Sequence, residues 1–396
     1  MATKTRPRRR ILRPFTYAFE WASEPVIYGF PVGRIRVLEG RLLGIGRLER
    51  LIEASDFAEQ RRILAETSYG DLFSDAKTSS EVEDALDAAL DRAYDFMEES
   101  RLPEPIIEFF RIRHDFLNLR MLLKTRLAGA PVPERWTVHG SVPVSVFEEA
   151  AKAGDDWAKK LPGSLAVLAA QVEREVRALE ATGAEAGVAG QPLAGGPAGP
   201  GGPGVGVGPS PGAGASPGAV AAHIDALVDK ALFERIGEIV QSQPSQWFRE
   251  LGQLMIDLAN LRIVLRSRRF GKDEQWLRRV IIEGGHIPPE TVRENAFGPL
   301  DELRDEIRAT LGPQPQRAER ALERVVLEPD KMDVVTDNIV QEMAKSGRRK
   351  ANGLEPIVSY LLAVENEIKL LRIVLLGKLA NIPPERLHEH VRELYA

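Results

Sequence analysis

Three acidic residues recur in one local setting: Asp115 in Asp115-Phe-Leu-Asn118-Leu-Arg120, Asp257 in Asp257-Leu-Ala-Asn260-Leu-Arg262, and Glu367 in Glu367-Ile-Lys-Leu370-Leu-Arg372. A threefold set of carboxylates has the donor type for a hard divalent cation or for acid–base work. Either use requires convergence from three distant segments, and nothing nearby supplies His or further carboxylates at ligand spacing. Placing Phe116 at heptad position a puts Asp115 at g and Arg120 at e, on opposite flanks of an apolar seam where ion pairs to neighbouring helices sit. Asp115, Asn118, Arg120, Asp257, Asn260, Arg262, Glu367 and Arg372 therefore read as a structural motif. No catalytic, cofactor-binding or metal-binding residue is expected.

The remaining reactive side chains support the same reading. There is no Cys, which removes disulfides, thiolate metal sites and a cysteine nucleophile, and fits a reducing compartment. The six histidines are scattered; His388 and His390, two residues apart, face different sides of a helix. Gly40, Gly44 and Gly46 lack the G-x-x-x-x-G-K-[ST] pattern of a phosphate loop and read as helix–helix close approach. No nucleophile elbow is present, although a Ser/His/Asp set assembled in space stays open. Lys124 and Arg126, then Arg266, Arg268, Arg269 and Lys272, then Lys378 crowd the ends of three helices, where cations complement the helix dipole. Arg126, Arg268 and Lys378 occupy one aligned position and are candidate contacts to an acidic partner. Only Phe270 interrupts the second basic run, so base stacking and nucleic-acid binding are not expected.

The elements carrying these residues are helical. Apolar residues follow helical spacing nearly throughout, so the fold class is all-α. Val82, Leu86, Leu90, Tyr94 and Met97 mark one amphipathic helix, with Ser79 and Ser80 as candidate N-caps. Similar stripes cover Arg34 to Ala54, Ser164 to Ala181, Ile224 to Val240 and Val334 to Ala344. Trp136 to Val144, interrupted by Gly140 and Pro143, reads as loop. Aligned on the three acidic motifs, Phe109, Ile112, Phe116, Leu119 and Leu123 match Leu251, Leu254, Leu258, Leu261 and Leu265, and then Leu361, Val364, Ile368, Leu371 and Leu375. Steps of 3, 4, 3 and 4 residues are the seam of a helix packed along its neighbour. A second echo follows each seam: Pro131-Val-Pro133-Glu134, Ile287-Pro-Pro289-Glu290 and Ile382-Pro-Pro384-Glu385. Proline there ends one helix and opens the next.

Asp115 and Asp257 are 142 residues apart, Asp257 and Glu367 are 110 apart, and the Gly/Pro/Ala-rich stretch 182–220 accounts for the difference. That stretch lacks a collagen triplet and reads as a disordered insertion. The organisation expected is a basic tail (1–13), then helical repeat domains over 14–127, 128–270 (with the 182–220 insertion) and 271–396. Units this long are domain-sized, unlike solenoid repeats. The net charge of −5, from 53 basic and 58 acidic residues, gives no global attraction to nucleic acid. No apolar run approaches the ~20 residues of a membrane span, and no signal peptide follows the basic tail.

These features resemble the C subunit of the V/A-type ATPases, equivalent to the d subunit of the eukaryotic vacuolar proton pump. The resemblance runs through Arg34-Ile-Arg-Val-Leu-Glu-Gly-Arg-Leu-Leu43, Tyr69-Gly-Asp71, Asp115-Phe-Leu-Asn-Leu-Arg-Met-Leu-Leu-Lys124, Asp257 to Arg262, Tyr360-Leu-Leu-Ala-Val-Glu365 and Lys369-Leu-Leu-Arg-Ile-Val-Leu375. It covers nearly the whole chain except the basic tail and the insertion. The third copy departs at Leu370, where the others carry Asn118 and Asn260, and at Leu376, opposite Lys124 and Arg266. The resemblance implies a pseudo-threefold funnel that is non-catalytic and present once per complex. It would join the central shaft to the membrane rotor ring of an ion-translocating machine, on the cytoplasmic side of the inner membrane. The alternative is a stand-alone helical scaffold for a cytosolic partner.

Overall fold

Glycine and threonine set the first helices. In the computed structural model, which describes residues 28–188, 217–269, 272–311, 320, 323–324 and 331–395, the stripe from Arg34 to Ala54 forms two helices, α1 (Gly29–Glu39) and α2 (Ile45–Glu53). Gly40 closes α1, and Gly44 precedes α2 with extended backbone (φ −85°, ψ 160°). The break lets both Leu42 and Leu43 be buried. A Cβ placed on Gly44 or Gly46 would meet nothing within 4 Å, so neither brings helices into close approach as expected; Gly44 marks the break and Gly46 lies inside α2. After α3 (Phe57–Ala65) and the single turn α4 (Gly70–Phe73) comes α5 (Ser79–Glu99). Its cap is Thr78, one residue before the expected serines: the Thr78 hydroxyl accepts from the Glu81 N–H while the Glu81 carboxylate accepts from the Thr78 N–H. The first seam helix is α6 (Glu104–Leu127).

The second copy comprises α7 (Val144–Lys152), a 3-10 turn (Trp157–Lys160), α8 (Gly163–Val188), α9 (Pro217–Gln241) and the seam helix α10 (Gln246–Arg269). Of the stretch 182–220, residues 182–188 close α8 and 217–220 open α9, whereas 189–216 lie outside the described residues, as do the basic tail and Phe270. The third copy comprises α11 (Glu274–Val280), α12 (Pro289–Asn295), α13 (Leu300–Leu311), α14 (Met332–Arg348), the seam helix α15 (Glu355–Leu379) and α16 (Pro384–Glu389). Among the described residues there is no strand, and 136–143 is irregular chain. No helix of the described residues is long and apolar enough to cross a membrane.

All fifteen seam positions are buried except Leu265, which is half-buried. Neighbours follow a closed order: α6 packs on α9, α9 on α10, α10 on α14, α14 on α15, and α15 on α5. Tyr94 of α5 then meets Phe110 of α6, their ring centroids 6.4 Å apart. Seam helices also touch one another, with Phe109 set edge-on to Phe248 at 5.0 Å.

Candidate functional site

The three repeated carboxylates are buried, at 6%, 0% and 2% exposure for Asp115, Asp257 and Glu367. They do not converge. Each instead holds a loop against its own seam helix. Asp115 accepts from the N–H groups of Ser141 and Val142 at 3.0 and 2.9 Å. Asp257 accepts from those of His286 and Ile287 at 3.1 and 3.0 Å, and its Oδ2 lies 2.9 Å from the His286 ring. Each of these two loops approaches closely because it carries glycine: a Cβ on Gly140 or Gly285 would fall 2.1 Å from the carboxylate oxygen. Burial raises the pKa of all three groups, and Glu367 is pushed up to about 7. Among the described residues no group of three or more His, Cys, Asp or Glu is placed to hold a metal ion.

One turn on, Asn118 and Asn260 clamp the same loops. The Asn118 amide donates to Thr137 C=O and accepts from Thr137 N–H, and Asn260 does the same with Ile282. Both amides are fully buried. Replacing Asn260 with Leu, the residue type the third copy carries at Leu370, leaves a buried N–H and C=O unpaired. It is expected to cost about 2 kcal/mol in urea unfolding; an unchanged midpoint would show the clamp to be incidental.

Beyond each clamp, the proline corner differs from expectation in the first copy. Pro288 and Pro383 precede α12 and α16 with φ/ψ of −57°/137° and −61°/149°. Their counterpart is Pro143, before α7, at −56°/139°, and not Pro131-Val-Pro133, which lies in irregular chain. The signal separating the two was the preceding glycine: Gly140-Ser-Val-Pro143 matches Gly285-His-Ile-Pro288.

The arginines do reach neighbouring helices, in cyclic order. Arg120 of α6 bonds Asp229 of α9 and lies 3.5 Å from Asp225. Arg262 of α10 lies 3.4 Å from Asp333 of α14 and donates to Thr336. Arg372 of α15 pairs with Glu83 of α5 at 2.9 Å and lies 3.8 Å from Asp87. Each receiving helix presents acids one turn apart: Asp225/Asp229, Asp333/Asp337 and Glu83/Asp87. These pairs are partly solvated, so each contributes up to about 1 kcal/mol. Their joint effect is to fix which helix meets which.

The third-to-first junction carries a polar network of its own. Glu367 accepts from Leu43 N–H at 2.8 Å and from the Tyr69 hydroxyl at 2.6 Å. Arg113 donates twice to Glu365, at 2.9 and 2.7 Å, and the Tyr94 hydroxyl donates to the same carboxylate at 2.8 Å. With its proton given to Glu365, Tyr94 accepts from His114 Nε2, which leaves Nδ1 to accept from Thr137. Burial lowers the His114 pKa to about 3 and raises that of Tyr94 well above normal, so neither exchanges protons near neutral pH. Residues 391–395 complete the junction: Asn366 donates to Glu393 C=O, Asn338 accepts from Glu393 N–H, and the buried Tyr395 hydroxyl donates to Glu39.

Of the three aligned cations, Arg126 donates to Ala151 and Gly154 carbonyls and lies over Trp157, and Arg268 donates to Gly298 C=O. Lys378 is half-buried and makes no side-chain bond among the described residues. Trp247 and Trp276 are buried in the core.

The seam helices are thus tied to their neighbours by repeated ion pairs, and the buried acids of Asp115 and Asp257 are occupied by loop amides. The chain matches the ATP synthase (C/AC39) subunit family over residues 31–158 and 218–390, and it belongs to that family, the C subunits of rotary ATPases. It is 22% identical to the C subunit of the A-type ATP synthase of Methanocaldococcus jannaschii, over 93% of this chain and 88% of that one. It is also 22% identical to the C subunit of the Pyrococcus furiosus A-type ATP synthase (94% and 92% covered) and 21% identical to that of the V-type sodium ATPase of Enterococcus hirae (91% and 97% covered). The unmatched residues 159–217 fall on the segment containing α8 and the Gly/Pro-rich stretch.

Proposed function

We propose that this chain is the non-catalytic connector of the rotary ATPase central stalk, a three-unit funnel seated on the membrane rotor ring and receiving the shaft. The observation carrying this reading is the cyclic order of Arg120, Arg262 and Arg372, each tying a seam helix to the next copy. A closed collar transmits torque without opening, and its stiffness comes from helices stapled at matched positions. Non-slipping contact with an axial partner calls for at least a standard interface of about 1,200–2,000 Å². One copy per complex, peripheral on the cytoplasmic face of the membrane and serving proton or sodium transport, completes the proposal.

The test is co-purification of the protein, tagged at its N-terminal end, from gently detergent-solubilised membranes, with mass spectrometry of what stays bound. Shaft and ring subunits at comparable stoichiometry are expected; unrelated soluble partners without ATPase subunits would establish the scaffold alternative. Among the aligned cations, Lys378→Glu is expected to reduce recovery of the partner subunits at least threefold without lowering Tm. The same change at Arg126 or Arg268 also breaks internal bonds and lowers stability. Full recovery with Lys378→Glu would remove that residue from the contact surface.

A further inference from the structure

The repeat exposes one place where a copy is left open. Ser267 of α10 aligns with Thr125 of α6 and Gly377 of α15. In the first copy the Thr125 hydroxyl is bonded to Pro131 C=O, and in the third Leu387 packs so tightly on Gly377 that a Cβ there would lie 2.5 Å from it. In the second copy the same position faces a cleft of about 290 Å³ between α9 and α10, closed at one end by Trp276. Ser267 is 3% exposed, lines this cleft, and its hydroxyl has no hydrogen-bond partner among the described residues. A hydroxyl so placed is available to a ligand atom or water.

The cleft has two chemistries. Its wall is small and apolar, with Ala221, Ala222 and Ala226 facing Ile263 and the indole of Trp276. Its rim is cationic. Lys272 Nζ lies 5.1 Å from the Trp276 ring centroid with no carboxylate partner among the described residues, and Arg266 stands 3.7 Å from Asp229. The two acids of the lining, Asp225 and Asp229, are already matched by Lys124 and Arg120. The free charge at the rim is therefore positive, and the volume is at the lower end of small-molecule sites. We propose that this cleft binds a small amphipathic anion, a carboxylate, sulfonate or phosphate on an apolar, aromatic body. The body would lie against the alanines and Trp276, and the anionic group would meet Lys272, Arg266 and the Ser267 hydroxyl. The inference stands independently of the connector role.

The probe is 8-anilinonaphthalene-1-sulfonate, titrated by fluorescence into the purified full chain at neutral pH. Saturation at one equivalent is expected. Lys272→Glu should weaken binding at least tenfold with Tm unchanged, and Ala222→Trp, which fills the cleft, should abolish it. Lys272→Glu keeps the test decisive if the tryptophan disturbs folding. Neutral N-phenyl-1-naphthylamine should bind wild type at least tenfold more weakly than the sulfonate. Uptake that does not saturate, binding that survives Lys272→Glu, or equal affinity for the neutral compound would overturn the proposal.

Discussion

Asp257→Ala is expected to destabilise the protein by about 3 kcal/mol, read as the loss in unfolding free energy in urea, because the part-buried N–H of His286 and the buried N–H of Ile287 lose their acceptor together. Burial has already raised the carboxyl's pKa against the pull of its donors, so part of what they contribute offsets desolvation. Asp257→Asn keeps one acceptor oxygen without the charge and should lose less than half as much. Gly285→Ala reaches the same end from the other side, since its Cβ would fall 2.1 Å from the Asp257 oxygen and drive the loop off the carboxylate. Amide exchange at residues 286 and 287 should rise in all three variants. A loss below about 1 kcal/mol for Asp257→Ala would mean that the loop finds other partners.

Glu367→Gln is expected to raise stability at pH 8 by about 3 kcal/mol relative to wild type and to leave it unchanged near pH 4. The folded pKa of Glu367, about 7, lies above the ordinary 4.5 because burial outweighs the bonds from Tyr69 and Leu43. A raised carboxyl pKa means that the folded state holds its proton longer than the unfolded state. The contribution is therefore complete below pH 4.5 and lost as pH rises through 7. Glutamine imitates the protonated acid, accepting from Leu43 and donating to Tyr69, and so removes the dependence. His114 slopes the other way: its pKa is lowered from 6.5 to about 3, so it withdraws stability as pH falls through that window. The two oppose each other in wild type, which makes the difference between variant and wild type across pH 4–8 the informative measurement. Parallel profiles would show that the Glu367 carboxyl titrates alike in the folded and unfolded chain.

The seam helices were legible because steps of 3 and 4 residues are imposed by packing alone, and every seam position from Phe109 to Leu375 except Leu265 fell buried as that periodicity requires. The inward turn of Asp115, Asp257 and Glu367 was not legible, because a heptad describes one helix against another and is blind to a loop arriving on a third side. Its trace was present in Gly140 and Gly285, each followed two residues later by an apolar residue and then proline. The heptad assigns the arginines to helix flanks, and their partners emerged only from the fold. Acids spaced one turn apart, such as Glu83 and Asp87, are common on solvated helices and carry no address. Gly44 shows the converse limit, since an apolar stripe continues across it although the helix does not.

The bond from Leu43 to Glu367 joins residues 324 apart, and that from Tyr395 to Glu39 joins residues 356 apart. A ribosome adding about 5–20 residues per second therefore leaves the Leu43 amide without its native acceptor for roughly 15–60 s. The first copy emerges long before the residues that finish it, so during synthesis its Tyr69 and Leu43 edge stays uncovered. Vectorial synthesis thus leaves these two contacts of the N-terminal third unmade until Glu367 and Tyr395 have been translated.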